Sequence, residues 1–196
     1  LLSTLEEKLW LLQQEGIDNV IIIPFTQEFS RLKPQEFIEK DIAGIGVECF
    51  VVGYNHRFGH NKAGNYSLLK ESGTMLEIHR VEQQLLDEGK VSSTVIRQRI
   101  EQGDMTMAAR LLSHPYIIMG EVNDKGEVYN IDENKLLPPA GVYKTTVYPI
   151  DDDKALCNNE IKGLYQAILE VNDNRVLSIS NIDCASKVIL EITGDK

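Results

Sequence analysis

The sequence predicts an α/β fold: a parallel sheet covered by helices over residues 1–114, then a small antiparallel β domain over 115–196. Three observations carry that expectation. Strand-like and helix-like runs alternate through the first half. The strand runs there are apolar on both faces, as in a parallel sheet with helices on each side. After His114 the pattern gives way to short β-branched runs separated by polar turn formers, the mark of antiparallel strands.

Taken in order, Leu5, Leu9, Trp10 and Leu12 recur at helical spacing, which predicts a helix over 3–15 with Trp10 in the core. Thr4 and Glu7 have the spacing of a capping box, and Gly16 stops the helix. NVIIIPF predicts a buried strand near 19–24. Pro34 opens a second helix over 34–43, with Phe37, Ile38 and Ile42 inward. CFVVGY predicts a strand near 48–53, Tyr66 to Lys70 a short helix, and Met75 to Val81 a third strand near 75–80. Two helices follow, over 93–102 and 104–112, broken at Gly103–Asp104.

Beyond His114, YIIMGEV, GEVYNI, GVYKTTVYPI, KGLYQAILEV, RVLSIS and SKVILEI read as strands of a small barrel or sandwich. Asn123–Asp124, Asp132–Asn134, Asp151–Asp153 and Asn172–Asn174 supply the turns.

Composition excludes several classes of function. The net charge of −10 argues against a broad surface for nucleic acid or anionic membrane, since both need a basic face. No apolar run reaches the roughly 20 residues of a membrane span. Leu1 to Trp10 lacks the pattern of a signal peptide. Cys49, Cys157 and Cys184 are far apart and show no metal-type pairing, so a reduced, cytoplasmic compartment is expected. The chain begins without Met inside a helical pattern, which leads to the expectation that residues precede Leu1.

Ligands of open parallel sheets bind outside the carboxyl ends of the strands. PFT, GYNHRFG and SST follow the three strands and should therefore line one rim, with Asn55, Arg57, Ser93 and Arg97 in one cleft. VSSTVIRQR is the most informative stretch. Ser92, Ser93 and Thr94 lead into a helix, and Arg97 lies one turn inside it. Hydroxyls, free backbone N–H groups and a guanidinium at the positive pole of a helix suit a polyphosphate. An ordinary capped helix with a surface arginine fits the same residues.

Other candidates read as structural. His56 and His60 are four apart, but they lie in a glycine-flanked loop without acidic or thiol partners in sequence. His79 and His114 read as packing or surface residues, and Asp151–Asp153 as a solvated turn. No metal site is expected from these groups.

GYNHRFGHNKAG, followed by VSSTVIRQRIEQGDMTMAARLLSHPY, resembles the bacterial bifunctional riboflavin kinase/FMN adenylyltransferase family, also called FAD synthetases. PFTQEFSRLKPQEFI matches a preceding segment of that family, and LLPPAGVYKTTV a segment of its kinase domain. The resemblance is strong over 1–122 and weak beyond, apart from 135–147. It implies a Rossmann-like nucleotidyltransferase sheet, its first strand preceding Leu1, that joins FMN and ATP with Mg²⁺ to give FAD and pyrophosphate. Ser92, Ser93, Thr94 and Arg97 would hold ATP phosphates, with Ser93 and Arg97 closest to the chemistry. Gly53 and Asn55 would meet the nucleotide, and Phe25, Thr26, Asn55, Arg57 and Phe58 the flavin. The implied partners are small molecules alone.

The chain departs from the family in three places. Asn55 stands where the family usually has an aspartate. The family's histidine-containing phosphate motif would lie upstream of Leu1. NDKGEVYNIDENKLLPPAGVY lacks the kinase domain's proline-threonine-alanine-asparagine motif near Tyr129 and Asn130, which implies a degenerate kinase barrel. The resulting expectation is an FMN adenylyltransferase with weak or absent riboflavin kinase activity. The alternative is a paralogue that binds flavin or nucleotide without turnover, as a sensor or store.

Overall fold

The computed structural model describes residues 1–72, 77–86, 89–150, 165–180 and 186–195. The expected Asp151–Asp153 turn, Cys157 and Cys184 lie outside the described residues. The chain forms two compact units: Leu1–Val20 with Val91–Lys196, and Ile21–Lys90.

The larger unit is built on a closed barrel. Its strands are β5 (Tyr116–Val122), β6 (Glu127–Tyr129), β7 (Gly141–Ile150), β8 (Tyr165–Val171), β9 (Leu177–Ile179) and β10 (Ser186–Asp195). They close in the order β10-β5-β6-β9-β8-β7, every pair antiparallel. Of the two expected architectures, barrel and sandwich, this is the barrel. The expected turns hold by local chemistry: the Asn123 side chain accepts from the Lys125 and Glu127 N–H groups, and Asp132 from that of Asn134. At Asn172–Asn174, the Asn172 side chain accepts from the Val176 N–H.

Alternation sorts the barrel side chains. Tyr116, Ile118, Val188 and Leu190 face a core that also takes Ile96 and Ile100 from α5 (Ser93–Glu101), and Met105 and Ala108 from α6 (Met105–Leu112). Both helices begin where the sequence places them, capped by Ser92 and Asp104. Ile117, Met119 and Ile189 point the other way and are covered by Trp10 of α1 (Leu5–Gln14). This explains why β5, in an antiparallel barrel, is buried on both faces.

α1 starts with the expected capping box: Thr4 Oγ1 accepts from the Glu7 N–H at 3.2 Å, and Glu7 Oε2 from the Thr4 N–H at 2.8 Å. Glu7 does more than close the box. Its Oε1 accepts the Met119 N–H of β5 at 3.0 Å, and Lys135 Nζ donates to its Oε2 at 2.6 Å. Both side chains are fully buried. Lys135 also donates to the Leu2 carbonyl at 2.8 Å and lies 4.2 Å above the Tyr116 ring.

The smaller unit holds the parallel pair β1 (Cys49–Gly53) and β2 (Glu77–Val81), in register Cys49↔Glu77 through Gly53↔Val81, as the sequence leads one to expect. Thr26 caps the short α2 (Gln27–Ser30). α3 (Pro34–Glu36) runs on through a π turn, Phe37–Ile42, and a 3-10 turn, Ala43–Ile45. α4 (Tyr66–Glu71) follows, capped by Asn65, and β3 (Leu85–Leu86) pairs with β4 (Gly89–Lys90). Ile38, Val52, Phe58 and Leu69 form the core.

One expected element is corrected. Residues 19–24 form no strand; they run as irregular chain, and Ile21, Ile22 and Ile23 are exposed. The run has the composition of a buried strand, but a strand exists only through a ladder of hydrogen bonds, and among the described residues β1 and β2 pair with each other alone.

Removing one partner of a buried ion pair leaves the other charge uncompensated. Glu7→Ala and Lys135→Met should each lower stability by about 3–5 kcal/mol, measured by urea unfolding. Burial outweighs the Glu7 carboxylate and lowers Lys135 from 10.5 to about 8. The unfolded chain therefore binds the extra proton between those values, so stability from this group should rise with pH from about 8 to 10.5. Urea midpoints of the wild type against Lys135→Met across that window test the sign.

Candidate functional site

In the smaller unit the loop after β1 is held tightly. The His56 N–H donates to the Gly53 carbonyl at 3.0 Å, turning the chain as it leaves the strand. Phe58 and Gly64 then bridge through two backbone hydrogen bonds, Gly64 N–H to Phe58 O at 2.9 Å and Phe58 N–H to Gly64 O at 3.3 Å. Gly64 has to be glycine because a Cβ there would lie 2.6 Å from the Phe58 ring. Gly59, at φ 70°, takes a left-handed conformation, and a Cβ on it would meet Pro34 at 2.7 Å. The His60 N–H donates to the Leu32 carbonyl at 2.7 Å, tying the loop to the segment before α3.

An aromatic chain runs outward from this loop. His56 stacks on Phe58, with centroids 5.8 Å apart, and Phe58 meets Phe37 at 5.7 Å. Phe37 meets Phe29 at 6.1 Å and Phe29 meets Phe25 at 5.8 Å, both edge to face. Phe58 is buried at the inner end, while Phe25, 80% exposed, presents its ring to solvent at the outer end. Thr26 caps α2 through its hydroxyl, which accepts from the Phe29 N–H at 3.1 Å. Asn55 and Arg57 are exposed on the loop between these rings and β1. Lys90 stands over the Tyr54 ring at 5.6 Å.

Sequence reasoning named Phe25, Thr26, Gly53, Asn55, Arg57 and Phe58, and all six belong to this unit. It missed Phe29 as a site residue and treated Phe37 only as core. The signal for Phe29 lay in its spacing: three residues after the cap Thr26, it returns to the face of Phe25. His56 stacks on Phe58 within the loop, and His60 Nδ1 lies 3.3 Å from the Ser30 carbonyl oxygen of α2.

The other named residues belong to the larger unit, at the start of α5. Ser92 Oγ accepts from the Val95 N–H at 3.4 Å, so Ser92 is the cap. Ser93 and Thr94 occupy the first turn and are exposed. Arg97 is also exposed, one turn after Ser93 on the same face, and its charge reaches Tyr116. Burial, then the Glu7 carboxylate, raises the Tyr116 phenol well above its ordinary range, so it stays protonated as a donor to the Leu136 carbonyl. Arg99, by contrast, turns to Asp104 at 3.4 Å.

Two exposed sets of side chains result: the outer end of the aromatic row at Phe25, and a helix start carrying the Ser93 and Thr94 hydroxyls and the Arg97 guanidinium. The first suits a flat conjugated ring, the second suits phosphates.

Residues 1–95 match the family described as FAD synthetase. A bifunctional riboflavin kinase/FMN adenylyltransferase of Listeria monocytogenes is 31% identical over 72% of this chain and 49% of its own length. That of Buchnera aphidicola is 30% identical over 84% of this chain and 57% of its own. An FAD synthetase of Listeria monocytogenes is 29% identical over 72% of this chain and 57% of its own. The chain thus spans about half the length of the curated relatives it matches. A crystal structure titled macrolide-efflux protein, from Streptococcus pneumoniae, has the same fold: TM-score 0.76 at 23% identity, over 98% of this chain and 65% of that one.

The Gly64–Phe58 contact makes a sharp prediction. Gly64→Ala should displace the Phe58 ring and cost about 1–3 kcal/mol by overpacking. Phe58→Leu added to it should recover part of that loss, read from thermal unfolding of the single and double variants.

Proposed function

We propose that this chain is an FMN adenylyltransferase, in which an FMN phosphate oxygen attacks the α-phosphorus of ATP and pyrophosphate leaves. The observation that carries this reading is the aromatic chain ending on exposed Phe25, within the segment that matches FAD synthetases. On this reading the functional division falls at residue 114, with 1–114 as a Rossmann-like nucleotidyltransferase part and 115–196 as a degenerate kinase barrel. Phe25, Thr26, Asn55, Arg57 and Phe58 receive the flavin, Phe58 from beneath as the buried support of the loop. Gly53 and Asn55 meet the nucleotide. Ser92, Ser93, Thr94 and Arg97 hold the ATP phosphates.

Nucleotidyl transfer asks for alignment and charge neutralisation more than for covalent help. Arg97 and the dipole of α5 neutralise charge developing on the leaving pyrophosphate. Ser93 and Thr94 orient its oxygens. The matched positions offer hydroxyl and amide oxygens and two guanidiniums but no carboxylate, a set that fits ATP phosphates better than a resident Mg²⁺ cage. Mg²⁺ therefore arrives as the counter-ion of ATP.

Riboflavin phosphorylation is proposed to be weak or absent. Where the kinase domain's metal- and nucleotide-binding motif would stand, Asn130 donates to Glu121 at 2.7 Å and no threonine hydroxyl is present. Phosphoryl transfer depends almost wholly on positioning such as that motif supplies. The chain's partners are FMN and ATP, and its compartment is cytoplasmic. Among the described residues no helix is long and apolar enough to cross a membrane.

Paired chromatographic assays with ATP and Mg²⁺ test the activity. FMN should yield FAD, and riboflavin should yield little FMN. Flavin binding without FAD would favour the non-catalytic paralogue, with Asn55 the first substitution to reverse. Arg97→Ala should weaken ATP binding by about 1.5–3 kcal/mol in calorimetry, the worth of a charge-assisted hydrogen bond. Its thermal midpoint should barely move, because Arg97 is exposed.

A further inference from the structure

We propose that Cys49, Glu77 and His79 form a binding site for a Zn²⁺-class divalent cation that clips β1 to β2. The placement follows from the ladder. Cys49 and Glu77 are register partners in the parallel pair, and His79 lies two residues after Glu77, so all three share one face of the sheet. Phe50, Val52 and Ile78 occupy the other face and pack into the core. The trio's side chains are exposed, and their ligand atoms all lie within 4.8 Å of one another. His79 Nε2 already meets Glu77 Oε1 at 2.8 Å.

The donor set selects the metal. Thiolate, imidazole and carboxylate together suit Zn²⁺ and its borderline neighbours, whereas Mg²⁺ and Ca²⁺ take oxygen ligands. Three protein ligands leave the fourth tetrahedral position for water. Small rotations of exposed side chains bring the donors to coordination distance. On binding, the Cys49 thiol releases its proton to solvent and the thiolate coordinates. The imidazole carries its proton on Nδ1 and coordinates through Nε2, so the metal replaces the hydrogen bond to Glu77.

This site is separate from the candidate flavin surface. It sits at the amino end of β1, while the 53–64 loop leaves the carboxyl end, four residues or about 13 Å further along. Its physical effect is to join two strands far apart in sequence, in a sheet that has two strands among the described residues, an arrangement with little stability of its own.

Co²⁺ is the direct probe. Added to the metal-free, untagged chain, it should give a thiolate-to-cobalt charge-transfer absorption that saturates at one equivalent and is abolished by competing Zn²⁺. Cys49→Ser should lose that band although Cys157 and Cys184 remain. His79→Ala should bind Co²⁺ at least about tenfold more weakly, since even outer-shell partners of metal ligands cost that much. Zn²⁺ should raise the thermal midpoint of the wild type and not that of Cys49→Ser. No band in the wild type, a band undiminished in Cys49→Ser, or equal affinity in His79→Ala would each overturn the site.

Discussion

Glu7 and Lys135 meet where neither can reach water, and much of the larger unit is arranged around their meeting. Glu7 is part of α1, Lys135 follows the hairpin of β5 and β6, and Met119 in β5 donates its backbone N–H to the same carboxylate. A helix more than a hundred residues distant in sequence is thereby held against one strand of the barrel. That pinning lets Trp10 cover Ile117, Met119 and Ile189, which would otherwise be apolar side chains on the outside of the barrel. Burying two charges is costly, and the pair persists because each partner has further hydrogen bonds or contacts: the box at Thr4, the Leu2 carbonyl and the face of Tyr116.

The smaller unit is held differently. Its core is small, and its loop is shaped by two glycines whose missing side chains let Phe58 and Pro34 approach the backbone closely. Close packing at Phe58 sets the inner end of a row of rings whose outer end, Phe25, lies open. The row connects close packing to an exposed edge. It is the feature that most distinguishes this unit from a bare strand pair.

Much of this was legible because it is local. Thr4 and Glu7, Gly103 and Asp104, and Asn123, Asp132 and Asn172 act within a few residues, and each behaves as its spacing implies. β1 was legible as the short apolar run Cys49 to Gly53, although the pair is packed on one face only and the face of Cys49, Glu77 and His79 is exposed, not covered as expected. Residues 19–24 show the limit of that reading: the same composition without a pairing partner is an exposed strip, since pairing is a long-range event. The second role of Glu7 was hidden for the same reason. In the sequence it is a helix-cap residue, and nothing near it announces a lysine in the barrel. Among the site residues, the cap at Ser92 and the exposure of Arg97 were readable. The continuity of Phe25, Phe29, Phe37 and Phe58 was not, because it depends on how α2 and α3 are placed against the loop.

On the proposed function, Phe25 receives the flavin and Ser93, Thr94 and Arg97 receive the triphosphate. A crystal structure of the chain with FMN and a non-hydrolysable ATP analogue tests it most directly. The expected result is the isoalloxazine ring beside Phe25 and the triphosphate at Ser93, Thr94 and Arg97. A flavin bound on the barrel, or phosphates bound away from the start of α5, would contradict it.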